Sequence, residues 1–179
     1  RGYAEKVIPE IEAGMREHGL DFDLVRTERP WHAAEIAEQA VKDAGLPDTM
    51  PDPERAGVVF GTAMGGTDAL IDGLDEYRQK GYQRVKPFVL PSGIPNLPGF
   101  AIAKRFQCLG HNSTIVVACA TGTQAVGEGA EVIRRGAADV VIVGGTEALM
   151  KDYSLAGFAV MRALPINYND APEKASRPF

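Results

Sequence analysis

The sequence predicts an α/β protein, with a mostly parallel sheet covered by helices on both faces. Two observations carry that expectation. Three short apolar runs, "RAGVVFGTAMGG", "IVVACATG" and "DVVIVGGTEAL", each lead from strand-forming residues into glycine or other small residues. Between them stand segments with apolar residues at helical spacing. Strands apolar on both sides suit a sheet buried on both faces, and strands alternating with helices suit parallel pairing.

The elements follow in order. Residues 4–19 put Val7, Ile8, Ile11 and Met15 at helical spacing, and Gly19 stops the pattern. After the polar connector "DFDLVRTER", Pro30 opens a second helix that runs to about Asp43, where "AGLPDTMPDP" ends it. A strand is expected from Ala56 to Phe60, running into a glycine loop. The spacing over 67–80 predicts a helix with Leu70, Ile71, Leu74 and Tyr77 on one face and Gly81 at its close. "KPFVLPSGIPNLPGFAIAKRF" is Pro-rich until Leu97, then helical to about Phe106. A strand over 113–118 follows, with Ile115 to Ala118 read as buried. A helix then runs from about Thr121 to Arg135, with Gly136 as its cap and Arg134 and Arg135 in the last turn, where positive charge suits the dipole. "DVVIVGGTEAL" reads as another fully buried strand, and 152–163 as a short small-residue helix or turn.

The 179 residues are expected to form one domain, 45% hydrophobic and 24% charged, as in soluble globular proteins. With 24 acidic and 19 basic residues the net charge is −5, which argues against a general nucleic-acid binder. No apolar run approaches the roughly 20 residues that cross a bilayer, and no signal peptide is visible, so a cytoplasmic location is expected. The chain opens on Arg1 and stops at "KASRPF", and both ends are expected to be cut. The two cysteines, Cys108 and Cys119, lack metal-site spacing and are too few for a disulfide scaffold. His18 and His32 fall in surface-type helices, and His111 in a loop, where histidine is more often structural than catalytic.

Cys119 has the most informative setting. It stands where a strand ends and a helix begins. Helix N-termini carry unpaired N–H groups and partial positive charge, a setting that favours thiolate over thiol. The small neighbours Ala118, Ala120 and Gly122 leave room for a carbonyl group. Gly122, Val126, Gly129 and Ile133 are expected to form the slim face on which the helix packs. The backbone N–H of Cys119 would then face a developing oxyanion, as in a nucleophile elbow for acyl transfer. The competing reading is a small buried hydrophobe. That reading suits Cys108, which follows an amphipathic helix at "RFQCLG".

These residues resemble a family. "VACATGTQAVGEGAEVIRRGAADVVIVGGTEA", with "GFAVMRAL" and "KASRPF" after it and "GVVFGTAMGG" and "KPFVLPSGIPNLPGFAIAKRF" before it, is similar to the elongating β-ketoacyl-acyl-carrier-protein synthases. These are condensing enzymes of the thiolase-like superfamily. The resemblance covers roughly residues 20–179. It implies a thiolase-like layered αβαβα fold, of which only the N-terminal half is present. It implies that Cys119 accepts an acyl group as a thioester and that a carbanion from malonyl-carrier protein then attacks it. No metal or redox cofactor is implied. Met64, in "GTAMGG", and Phe158, in "GFAVM", match positions lining the acyl pocket. A flexible methionine suits a tunnel that takes several chain lengths. The competing reading for each is an ordinary core residue. The implied partners are acidic acyl-carrier protein and a second copy of the chain, with a strand near 113–118 pairing across the dimer axis. Arg84, Lys86 and Arg162 fall in segments that flank the tunnel mouth in the family, although surface cations are more often merely solvated.

The family's two catalytic histidines, its lysine and its glycine-rich gate loop lie in a second half that is not in this sequence, and full-length members are more than twice as long. The chain's three histidines do not match the catalytic ones, and the usual opening strand with "VTGLG"-like residues is missing. The chain alone is therefore expected not to complete a condensation. A degradative thiolase or an initiating synthase would share the fold and the cysteine, but "GFAVMRAL" and "ASRPF" favour the elongating branch. A non-catalytic partner such as a chain-length factor would lack the nucleophile. A nucleotide-binding module fits poorly, because neither "GTAMGG" nor "VGGTEA" has GxGxxG or the Lys-Ser/Thr of a phosphate loop.

Overall fold

The valine-rich run at 56–61 forms the middle strand of a parallel sheet, and the other elements are arranged around it. The computed structural model describes residue 13, residues 32–147 and residues 151–176. The expected helix over 4–19 and the connector after it therefore lie outside the described residues, apart from residue 13. Two units are present. The larger falls within residues 27–149, and the smaller combines 1–26 with 150–179.

In the larger unit, α1 spans His32–Asp43 and β1 spans Ala56–Gly61. They are followed by α2 (Thr67–Lys80), α3 (Val89–Gly93) and α4 (Leu97–Phe106), then β2 (Asn112–Ile115), α5 (Thr121–Arg134) and β3 (Val140–Gly145). The sheet order is β2-β1-β3, and both pairings are parallel. Alternate residues of β1 enter different cores. Ala56 and Val58 pack with Val41, Met50, Phe106 and Cys108, whereas Val59 packs with Ala125, Val132 and Ala138. Helices α1 and α4 thus cover one face of β1 and α5 covers the other. This is the expected two-faced burial.

The outer strands differ from expectation. β3 is only partly buried, with Val143 among the exposed apolar residues. β2 stops at Ile115 and does not continue to 118, and Val116 and Val117 are exposed. Pairing sets both limits. Ile115 and Gly145 sit opposite Gly61, the last residue of β1, so no central strand remains for residues beyond that row.

Two helix faces also differ from expectation. Leu70, Leu74 and Tyr77 of α2 are substantially exposed, and the buried residue of that helix is Gly73, against Val89 of α3. The buried face of α5 is Thr121, Ala125, Gly129 and Val132, so of the expected set Gly122, Val126, Gly129 and Ile133 only Gly129 holds a buried place. The phase is set by the sheet. A Cβ on Gly129 would come within 2.2 Å of Val143 Cγ1. In the segment expected to be merely Pro-rich, α3 forms around Pro91, whose missing N–H falls in a first turn where that group has no helical partner.

A staple closes the amino-terminal end of the sheet. The Arg55 guanidinium donates to both carboxylate oxygens of Asp139, through Nε at 3.0 Å and through Nη2, and its Nη1 donates to Gly136 O at 2.8 Å. Asp139 N–H returns a bond to Arg55 O at 2.8 Å. The side-chain hydrogen bonds from Arg55 and the attraction of its guanidinium hold the Asp139 carboxyl below the usual carboxylate range.

In the smaller unit, α6 spans Asp152–Val160, shorter than the expected 152–163. The chain leaves it through Arg162 at φ +58°, the left-handed conformation that ends a helix. A 3-10 turn follows at Pro172–Lys174.

Candidate functional site

Parallel pairing brings the carboxyl ends of β2, β1 and β3 to one edge, and Ile115, Gly61 and Gly145 form its last row. Open α/β sheets place their binding residues at that edge. Three loops leave it: residues 116–120, 62–66 and 146–147.

The first loop carries Cys119 in a 3-10 turn, Ala118–Ala120, that runs directly into α5. Cys119 is exposed, whereas Cys108 is buried among apolar side chains and its thiol is pushed up by that burial. Ala118 has φ +52°, in a region that costs an L-residue roughly 1–2 kcal/mol. Such strain needs holding. The Thr121 hydroxyl accepts from Val117 N–H at 3.0 Å and donates to Ala118 O at 2.8 Å, so one buried side chain ties both sides of the turn. The Thr121 methyl lies against β1. A Cβ on Gly61 would meet it at 2.2 Å and Ile115 O at 2.3 Å. Gly61 is therefore what lets the elbow sit on the end of the sheet.

The second loop carries Met64, 43% exposed. Its backbone is anchored by a residue of the third loop. Glu147 Oε2 accepts from Met64 N–H at 2.8 Å, Ala63 N–H at 2.9 Å and the buried Thr62 hydroxyl at 3.2 Å. Thr146 N–H donates to Gly61 O at 2.9 Å beside it. Gly65 takes φ +62°, and a Cβ on Gly66 would fall 1.7 Å from Ser92 O.

Cys119 and Met64 thus share the carboxyl edge of the sheet. Arg84, in a 3-10 turn after α2, and Lys86 are exposed. Lys86 lines a cleft of about 550 Å³ together with Asp72, Asp75, Glu76 and Lys80, so its surroundings are more acidic than basic. Phe158, 43% exposed on α6, and the exposed Arg162 belong to the smaller unit. His111 is half-buried; its carbonyl accepts from Val58 N–H at 2.8 Å, and its Nε2 is buried without a partner. His18 and the side chain of His32 lie outside the described residues. Thr121, Gly61 and Glu147 were not singled out from the sequence. The sequence offers only a hydroxyl two residues past the cysteine and a carboxylate just past a strand ending in Gly-Gly, and neither shows its partners.

Residues 31–179 match the family model described as beta-ketoacyl synthase, N-terminal domain. The 3-oxoacyl-[acyl-carrier-protein] synthase 2 of Rhizobium meliloti (strain 1021) is 40% identical over 149 residues, which cover 83% of this chain and 35% of that protein. Its namesake in Staphylococcus aureus is 38% identical over 148 residues, covering 83% of this chain and 36% of that protein. Among solved structures, a type II PKS ketosynthase bound to the hexaketide, in complex with its acyl-carrier protein, matches with TM-score 0.69 and 27% identity over 79% of this chain and 36% of that one. A beta-ketoacyl synthase from Burkholderia phymatum STM815 matches at TM-score 0.67 and 24% identity, over 82% of this chain and 36% of that one, a likeness of fold alone. These neighbours bear out the thiolase-like α/β class. The chain spans about a third of the length of the curated relatives it matches.

Proposed function

Since this chain belongs to the beta-ketoacyl synthase N-terminal domain family, we propose that it contributes the nucleophile to a decarboxylating Claisen condensation in fatty acid or polyketide synthesis. The observation that carries this reading is the exposed thiol of Cys119, held on a strained turn at the start of a 14-residue helix. The Cys119 sulfur attacks the carbonyl carbon of an acyl thioester, and the carrier thiol leaves with a proton. Malonyl-carrier protein loses carbon dioxide, and the resulting carbanion attacks the acyl-enzyme carbonyl. A carbon–carbon bond forms, the carbon–sulfur bond to Cys119 breaks, and the product is longer by two carbons. First-turn N–H groups at Cys119 are suited to the oxyanion of each tetrahedral intermediate.

In this reading Met64 and Phe158 line the acyl pocket, and Arg84, Lys86 and Arg162 meet the acidic carrier protein. All of residues 1–179 belong to the N-terminal synthase domain, and the histidines and lysine of the decarboxylation step come from sequence beyond it. A homodimer is proposed through β2. That strand is an edge of the described sheet, and beside it runs a groove of about 580 Å³ lined by Phe100, Ala103, Leu109, Asn112, Ser113 and Thr114. A cytoplasmic location is part of the same proposal. Among the described residues no helix is long and apolar enough to cross a membrane.

The test is transfer of radiolabelled acyl groups from acyl-carrier protein to the whole protein containing this chain, with the adduct located by peptide mass spectrometry. The label should reside on the Cys119 peptide and vanish in Cys119→Ala. Adding malonyl-carrier protein should release carbon dioxide and discharge the label. The 179 residues alone should give no condensing turnover. Acylation from acyl-CoA as fast as from carrier protein would move the assignment to the thiolase or initiating branch, and label on another residue would end it.

A further inference from the structure

We propose that Glu147 is the positioning residue for Met64, and that its carboxylate thereby sets which acyl chain lengths the site accepts. The inference rests on the reading of Met64 as a wall of the acyl pocket and adds to it a residue 83 positions away in sequence. One oxygen, Glu147 Oε2, receives the amides of Ala63 and Met64 and the hydroxyl of Thr62. Successive backbone N–H groups converging on one anion form a nest, here filled by a side chain of the same protein. The hydroxyl of Thr62 serves twice, because it also accepts from Gly65 N–H at 3.2 Å. The other side of the Met64 residue is held too, since the Thr67 hydroxyl donates to Met64 O. Both peptide groups of Met64 are therefore fixed, while its side chain stays 43% exposed and free to change rotamer. A wall built this way adapts by side-chain rotation on a stationary base. Without the carboxylate, two amides and a buried hydroxyl lose their common acceptor, and the base itself moves.

The experiment uses the whole protein containing this chain and measures KM and kcat over a series of acyl-carrier proteins from short to long chains. Glu147→Ala should change the long-to-short ratio of kcat/KM by about tenfold or more, a size typical of pocket discrimination. Most of that change should fall in KM, because the reacting sulfur is untouched. Glu147→Gln keeps a carbonyl acceptor on the same stem and should restore the wild-type ratio to within about threefold. Iodoacetamide labelling of Cys119 should proceed at the wild-type rate in both variants. A uniform fall across all chain lengths, or no change in any, overturns the proposal. If Glu147→Ala does not fold, Glu147→Asp replaces it. Its shorter stem cannot hold both amides in place, so it should shift the ratio, and an unshifted ratio is again fatal. Met64→Ala separates the two layers. If it leaves the chain-length profile unaltered, the pocket reading itself fails. If it shifts the profile while the Glu147 variants do not, only the role of Glu147 fails.

Discussion

Cys119 and Cys108 are eleven positions apart and chemically opposite. Cys108 is 2% exposed in the core beneath α4, and burial raises its pKa, so the reactive thiolate is scarce at neutral pH. Cys119 is exposed on a turn whose shape depends on Thr121. Iodoacetamide at neutral pH should therefore modify Cys119 and spare Cys108 in the folded protein, and modify both in denaturant, as read by peptide mass spectrometry. Preferential labelling of Cys108 would reverse the assignment of the two thiols. This contrast was legible in the sequence, because it depends on local features: a cysteine after an amphipathic helix, and a cysteine between a strand and small helical residues. The tie made by Thr121 was not, since a threonine at a helix start reads as an ordinary helix-opening residue until its partners are seen.

At the scale of elements, the glycines divide into two kinds that composition cannot separate. Gly66 opens α2 with its Cα pressed toward α3, and an added Cβ would sit 1.7 Å from Ser92 O. Gly127 lies within α5 with open space where a Cβ would be. Gly66→Ala should destabilise by about 3 kcal/mol or more, since the clash is with backbone that cannot rotate away. Gly127→Ala should stabilise by roughly 0.5–1 kcal/mol through helix propensity. Urea midpoints of the two variants check this, and equal midpoints would contradict the packing of α2 on α3. The same distinction explains the misplaced face of α5. Its length and its cap at Gly136 follow from local spacing, but which stripe is buried was decided by the packing of Ala125 and Val132 with Val59 of the sheet.

At the scale of the whole molecule, the sheet is fastened at both ends by carboxylates. Asp139 meets Arg55 at the amino end, and Glu147 meets the 62–65 loop at the carboxyl end. The Asp139 carboxyl is held low by its hydrogen bond from Arg55, so folding binds fewer protons there than the unfolded chain does. Its contribution is present above the ordinary carboxylate pKa of about 3.9 and is lost as pH falls through the depressed value. Asp139→Asn should lower the melting temperature at neutral pH slightly and leave the difference from wild type shrinking toward zero in acid. A difference that persists undiminished at the lowest pH would show that the pair acts by packing alone. By itself the sequence determined the alternation of strands and helices, the parallel sheet, the place of Cys119 at the elbow and the family it belongs to, because these depend on residues within a turn or two of one another. Only the tertiary structure decided that β2 ends at Ile115, that β3 is half-open, and that Glu147 grips the loop of Met64. Those outcomes depend on which strand lies beside which and where the central strand stops, and such contacts join residues more than fifty positions apart, where local spacing carries no signal.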